Sequence, residues 1–218
     1  MSKLTYGVGI NDADYPVTVN EKIDGKYRRT WTCPYYKVWV NMLKRCYCEK
    51  YQRTMPTYET ASVDPRWFRF STFRKWMCTQ VWHDLELDKD ILSSGGKVYS
   101  EDTCCFVPRR VNSVLHINTK SRGEFPIGAA FVGSTGKFQA LCRDIDTKTK
   151  SLGTFVTASE AHRAWQIFKA SVVLSVAETY STQTYGREDV FNRLLKVADK
   201  LITESKEGKE TVDMWNNT

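Results

Sequence analysis

The chain has 218 residues, long enough for one large domain or for two small domains with hydrophobic cores. With 41% hydrophobic and 26% charged residues, its composition is that of a globular protein and excludes a largely disordered chain. The formal net charge of +7 favours an anionic partner, and no apolar run approaches the roughly 20 residues of a membrane-spanning helix.

The N-terminus and the cysteines indicate the compartment. The first residues, MSKLTYGVGINDADYP, contain no apolar core of a signal peptide, so we expect a cytoplasmic protein that is not bound to a membrane. Seven cysteines form no disulfide-like framework, which fits reduced thiols. A zinc site would have to join Cys46, Cys48, Cys104 and His83, which lack the CxxC spacing of structural zinc sites.

The first elements in chain order are an arm and a helix. Residues 1–34 are polar with little periodicity, and we expect an irregular arm. Residues 36–47 have apolar side chains at helical spacing, which predicts an amphipathic helix. Its expected inner face is formed by Trp39, Met42, Leu43 and Cys46.

A second amphipathic segment, WFRFSTFRKWMCTQVW, follows Pro65. Its aromatic stripe fits the core, although aromatic side chains between cations can also stack on bases. The stripe consists of Phe70, Phe73, Trp76 and Met77. The cations on the other face are Arg69, Arg74 and Lys75.

The segment from His83 to Val107 has the pattern of a hairpin. We expect a strand over residues 87–92, a turn over 94–97, a returning strand at 98–99 and a short helix over 109–115. On such a strand Asp88 and Asp90 project to the same side. Two carboxylates on one face can share a hard cation such as Mg²⁺ or Mn²⁺, and the alternative is a solvated hairpin held by salt bridges.

Residues 122–165 contain three short β-type runs separated by glycine-centred turns. In the middle run Phe138 and Ala140 alternate with a longer and mostly polar set, so we expect the small and aromatic side chains, with Phe155, to pack against a helix. That helix should begin near Ser159, because Thr157 and Glu160 have the spacing of a capping box. The outward set is Lys137, Gln139, Leu141 and Arg143.

A last helix is predicted after a break over residues 182–186. Its apolar positions form one stripe, which predicts a possible homodimer interface, and the tail beyond Ser205 is expected to be loose. The stripe consists of Val190, Leu194, Val197, Leu201 and Ile202.

Two motifs, GKFQALCRD and LGTFVTASEAHRAW, resemble the APETALA-type (ethylene-response-factor) DNA-binding domain over roughly a quarter of the chain. The resemblance implies a three-stranded sheet that lies in the DNA major groove. By position, it implies DNA contacts from Lys137, Gln139 and Arg143, and Lys148 and Lys150 are further candidates. Should the sheet not bind DNA, the alternative DNA face is the cation set of residues 69, 74 and 75.

A wider resemblance connects residues 30–180 to HNH-type homing endonucleases of tailed phages, several of which have an APETALA-type module downstream. It rests on ordered landmarks: Trp39, Met42, Leu43, Arg45, Cys46, Trp67, Phe70, the run LDKDI, Tyr99, Ser100, Cys104, Val111 and Asn112. The resemblance implies a ββα-metal active site around one divalent ion. If the chain is phage-encoded, its location is the host cytoplasm.

By position in this family, Asp88 is a metal ligand, while Asp102 or Thr103 stands near the second ligand position. Asp90, on the same side of the predicted strand as Asp88, is a further candidate ligand. Lys89 occupies the place of the general-base histidine, and a protonated lysine does not take a proton from water. Three alternatives stay open: activation of metal-bound water without a protein base, His83 as the base, or a nuclease scaffold that only binds DNA.

The sequence therefore predicts an α+β protein in three parts: an HNH-like nuclease domain with its arm (1–118), an APETALA-type domain (119–182), and a C-terminal helix and tail (183–218). The expected function is a metal-dependent, homing-type DNA endonuclease that acts on double-stranded DNA. The alternative is a catalytically inactive DNA-binding protein, such as a transcriptional or host-takeover factor.

Overall fold

A computed structural model describes residues 4–117 and 123–215, and the chain divides into two compact units, Met1–Val107 and Pro108–Thr218. The expected domain boundary at 118/119 lies outside the described residues. The described residues confirm a mixed α+β protein with small sheets, and none of their helices is long and apolar enough to cross a membrane.

The first unit contains three α-helices and six short strands. The helices are α1 (Pro34–Tyr47), α2 (Glu49–Thr54) and α3 (Phe70–Met77). The strands are β1 (Thr18–Ile23), β2 (Lys26–Thr32), β3 (Ser62–Val63), β4 (Glu86–Asp88), β5 (Val98–Tyr99) and β6 (Cys105–Val107). Two 3-10 turns, Pro56–Tyr58 and Pro65–Phe68, complete it.

The described residues of the second unit, 108–117 and 123–215, form three α-helices and one sheet. The helices are α4 (Arg109–Leu115), α5 (Ala158–Ser181) and α6 (Glu188–Glu207). The strands are β7 (Ala129–Val132), β8 (Lys137–Arg143) and β9 (Thr149–Phe155), which form an antiparallel sheet in the order β7-β8-β9.

Helices α1 and α3 carry the core of the first unit, as the periodicity predicts. Pro34 fits the first turn of α1, where its missing N–H costs nothing, and Trp39 is buried with its indole N–H donating to the carbonyl of Trp67 at 2.7 Å. All four predicted core residues of each helix are buried. The aromatic stripe of α3 is therefore core and is not available to stack on bases.

The arm prediction is wrong for residues 18–32, because β1 and β2 form a regular antiparallel hairpin. Its two-residue turn, Asp24 and Gly25, has positive φ angles of 51° and 77°. A turn with φ > 0 at both positions matches the right-handed twist of the flanking strands, and Asp-Gly is a favoured pair there.

The predicted hairpin of residues 87–99 is also wrong. β4 ends at Asp88, since the side-chain Oδ1 of Asp88 accepts the backbone N–H groups of Asp90 and Ile91, each at 2.8 Å, and turns the chain out of the strand. β4 instead pairs antiparallel with β6, and β5 pairs in parallel with β3. Asp88 and Asp90 therefore do not share one face of a strand.

In the second unit the antiparallel sheet of β7, β8 and β9 packs against α5. Ala140 is buried, Phe138 and Phe155 are half-buried, and Lys137 is exposed. The capping box is present: the Thr157 hydroxyl accepts the N–H of Glu160, and the Glu160 carboxylate accepts the N–H of Thr157. Both bonds satisfy donors that the first helical turn leaves free.

Gly128 marks the closest approach between the sheet and α5. It has a φ of +82°, and a Cβ there would lie 2.2 Å from Cγ of Trp165. We expect Gly128→Ala to lower the free energy of unfolding by about 2–3 kcal/mol, because it adds both backbone strain and a steric clash. Urea unfolding measures the loss. Gly133→Ala is the control, with open space around its Cβ, and an equal loss there would contradict this explanation.

Helix α6 packs on α5 and buries its apolar stripe inside the unit. Val190, Leu194, Val197 and Leu201 have no exposed surface. The stripe therefore belongs to the core of this unit and does not form the predicted homodimer interface. An apolar helical face predicts burial, but its period does not identify the partner.

The prediction of a loose tail beyond Ser205 is wrong as well. α6 continues to Glu207, and Thr211 and Met214 are buried. His162 explains part of this order, because its Nδ1 donates to the carbonyl of Ile127 at 2.7 Å while Nε2 accepts the N–H of Thr211 at 3.0 Å. One buried imidazole thus connects the tail to the segment before the sheet.

Candidate nucleic-acid interface

The sheet of the second unit has one face turned away from α5. Lys137, Gln139, Leu141 and Arg143 alternate with side chains that face the helix, and both cations are exposed. The amide of Gln139 donates to the hydroxyl of Ser151 at 3.0 Å, which places the two side chains on the same face. We call this surface the outer sheet face.

The neighbours of these side chains are small and uncharged. On β9 Thr149, Ser151 and Thr154 stand opposite Arg143, Leu141 and Gln139, and on β7 Ala130 and Val132 stand opposite Gln139 and Lys137. Directly paired residues project on the same side of a sheet. The outer sheet face of β7–β9 therefore presents two cations and no carboxylate.

Two further predicted DNA contacts do not lie on this face. Lys150 pairs with the buried Cys142, and its ammonium lies 5.6 Å from the ring centroid of Phe168 on α5, so it belongs to the helix side of the sheet. Lys148 is exposed in the turn before β9, where its N–H donates to the carboxylate of Asp144.

A group of cations near the end of β8 was missed by the sequence analysis. Burial lowers the pKa of Lys169, the thiol of Cys142 opposes that effect, and the charges of Arg110 and Arg143 add to it. Arg110 donates from Nη2 to the carbonyl of Asp144 at 2.9 Å, while its buried Nε has no hydrogen-bond partner within the described residues. Lys169 is therefore buried on the helix side of the sheet beside Cys142, and Arg143 is the member of this group that lies on the outer sheet face.

The cations of α3 have internal partners of their own. Arg69 lies 3.5 Å from the carboxylate of Asp12, and the guanidinium of Arg74 lies 5.0 Å from the ring centroid of Tyr15. Lys75 is exposed. This set is therefore a weaker candidate for phosphate contacts than the outer sheet face.

Asp88, the predicted metal ligand, is buried at the end of β4. Burial raises its pKa to about 6, against the opposing effect of the N–H groups of Ile91 and Asp90, which favour the ionised carboxylate. Its Oδ1 is already the acceptor that forms the turn after β4.

Lys89 is buried as well, and its ammonium holds the loop after β4. It donates to the carboxylate of Asp90 at 2.5 Å and to the carbonyl of Gly96 at 2.9 Å, and it lies 5.7 Å from the ring centroid of Tyr99. The side chain in the general-base position therefore has a structural role, since it holds the loop through Asp90 and Gly96.

The remaining predicted active-site residues have other contacts. The hydroxyl of Thr103 donates to the carbonyl of Val98 at 2.7 Å and accepts the N–H of Ser100 at 3.0 Å. Asp102 is exposed. His83 is exposed and stacks on its neighbour Trp82, with ring centroids 3.8 Å apart.

These side chains do not form a metal site. Within residues 4–117 and 123–215 no group of three or more His, Cys, Asp or Glu side chains could hold a metal ion. Hard divalent cations need several oxygen ligands around one point, and the predicted set of Asp88, Asp90, Asp102 and Thr103 does not supply them. The predicted Mg²⁺ or Mn²⁺ site therefore does not fit this arrangement, and neither does the zinc alternative.

The titration of Asp88 gives a testable consequence for the metal-free protein. Its pKa of about 6 lies above the ordinary value of 3.8, so the protonated side chain stabilises the fold fully below about pH 4, and this contribution is lost as the pH rises through 6. At 1.36 kcal/mol per pKa unit, the free energy of unfolding falls by about 2–3 kcal/mol over this pH range.

Asp88→Asn keeps an oxygen acceptor for the two N–H groups, so we expect it to remove most of this pH dependence. Urea unfolding between pH 4 and pH 7, with a chelator present, measures it. An unchanged pH dependence in the variant would mean that another group is responsible.

No family model, curated protein or solved structure matches the chain in the three comparisons that were made.

Proposed function

We propose that this protein binds double-stranded DNA through the outer sheet face of its second unit. The observation that carries the proposal is the alternation of β8, which exposes Lys137 and Arg143 on a face without carboxylates. The resemblance of this segment to the APETALA-type domain and the net charge of +7 support it.

The physical basis is attraction to phosphates. Side chains that neutralise phosphates release condensed counterions, so the affinity falls steeply with salt, and such contacts position a protein without reading the sequence. Gln139 lies between the two cations on β8 and is the side chain on this face suited to a base-edge contact.

The binding test uses the full chain and a fluorescent 30-base-pair duplex in anisotropy titrations. We expect dissociation constants of about 1–100 μM near 0.1 M salt, the range typical of non-specific binding. The logarithm of the affinity should fall linearly with the logarithm of the salt concentration. No binding at 0.05 M salt would contradict the proposed function.

Metal-dependent DNA cleavage is the second candidate function, and the antiparallel strand pair β4–β6 of the first unit favours it, since a ββα-metal nuclease site is built on such a pair. The contacts of Lys89 and Thr103 argue against cleavage, because both side chains are hydrogen-bonded to backbone carbonyls. We therefore propose the catalytically inactive form: a nuclease-like scaffold that binds DNA and does not cut it.

A further inference from the structure

The β1–β2 hairpin is exposed along almost its whole length. Only its first and last residues, Thr18 and Thr32, are half-buried, and Tyr27 and Trp31 keep 79% and 46% of their surface exposed. Large aromatic side chains contribute to stability by being buried. Packing within the first unit therefore does not explain why Tyr27 and Trp31 are aromatic.

One face of the hairpin carries hydrogen-bonding side chains without a carboxylate. Asn20 stands opposite Arg29, and Lys22 stands opposite Tyr27. Paired residues and residues two apart lie on the same side of a strand pair, so these four side chains share one surface, which we call the Asn20 face. It presents two cations, an amide and a phenol.

The other face has a different character. Glu21 stands opposite Arg28, and Ile23 stands opposite Lys26. We call this surface the Glu21 face. It carries the same number of cations as the Asn20 face, but a carboxylate and the apolar side chains of Val19, Ile23 and Trp31 accompany them.

The dimensions of the hairpin match a DNA groove. Strands of six and seven residues span about 20 Å. A two-stranded ribbon fits the major groove of B-DNA, which is about 12 Å wide, and the side chains that read guanine and adenine there are most often arginine and asparagine or glutamine. Asn20 and Arg29 form such a neighbouring pair.

We propose that the β1–β2 hairpin is a second DNA-binding element, which lies in the major groove with the Asn20 face toward the bases. Lys22 contacts phosphate, Asn20 and Arg29 contact base edges, and Tyr27 packs against the backbone sugars. This inference rests on the proposed function, because it assumes that the whole chain binds duplex DNA.

The test compares two charge-matched double variants of the full chain on the same 30-base-pair duplex. We expect Lys22→Ala with Arg29→Ala to weaken binding at least ~10-fold at 0.1 M salt, since two charged contacts are lost. Lys26→Ala with Arg28→Ala removes the same charge from the Glu21 face, and we expect less than about a threefold effect from long-range attraction alone. All four side chains are exposed, so both variants should fold normally.

The outcomes separate the two proposals. Equal weakening in both variants, or no weakening in either, while the wild type binds, would overturn the hairpin proposal and leave the proposed function standing. A wild type that binds no duplex would overturn both. Self-association in sedimentation that only the Asn20-face variant loses would identify a second copy of the chain as the partner and would also overturn the hairpin proposal.

Discussion

Replacing Lys137 and Arg143 together by alanine should reduce the salt dependence of duplex binding by about two units, near one for each lost phosphate contact. At 0.1 M salt this corresponds to about a 50-fold loss of affinity. The reason is their position: both are exposed on the same side of β8, where the paired residues carry no compensating carboxylate. Anisotropy titrations at four or more salt concentrations measure the slope.

The matched control removes two exposed lysines from α6, Lys196 and Lys206. It changes the net charge by the same amount, so it separates local contacts from the general attraction of a basic protein to DNA. Identical slopes for the β8 variant and the wild type would show that the outer sheet face is not the electrostatic contact. The cations of α3 would then be the next candidates.

A second large effect is expected at Lys89. If only the general base were missing, Lys89→His would restore nicking of supercoiled plasmid with Mg²⁺ or Mn²⁺. We expect instead no nicking and a free energy of unfolding lower by about 2–3 kcal/mol, because the shorter imidazole leaves Asp90 and the carbonyl of Gly96 without their partner.

Lys97→His is the control, since Lys97 is exposed in the same loop. It should change neither stability nor plasmid integrity. Nicking by the wild type that Asp88→Ala abolishes, with DNA binding retained, would contradict the proposal of an inactive scaffold and would return Asp88 to the role of a metal ligand.

Regular periodicity was the most reliable predictor of this fold. The stripe of α1 and the alternation of β8 each combine a local pattern with a buried surface, and the structure shows both. In these two elements the same residues determine both the backbone conformation and the packing. The capping box of Thr157 and Glu160 is an exposed local pattern, and it is present as well. The burial of Ala140 and the exposure of Lys137 follow from the same alternation.

The elements that the sequence analysis missed depend on individual side chains. β4 ends early because one carboxylate oxygen of Asp88 accepts the backbone N–H groups of Asp90 and Ile91 and turns the chain. The apolar side chains of the β1–β2 hairpin are few and exposed, so burial against a core did not indicate it, although the Asp24–Gly25 turn was a usable signal.

Only part of the candidate site could be predicted, because alternation along one strand does not show how that strand pairs with others. Alternation correctly separated Lys137 from Phe138, but it could not show that Lys150 pairs with Cys142 and so lies on the helix side. The concentration of Arg110 and Lys169 near Arg143 depends on contacts between distant segments of the chain. No local pattern contains that information.

The most direct test of DNA binding by the outer sheet face is an NMR titration of ¹⁵N-labelled protein with a short duplex. We predict that the largest amide shifts fall in β8 and β9, around Lys137, Gln139 and Arg143, while amides of α6 around Lys196 stay unchanged. Shifts confined to other segments, with β8 and β9 unaffected at saturating duplex, would contradict the account.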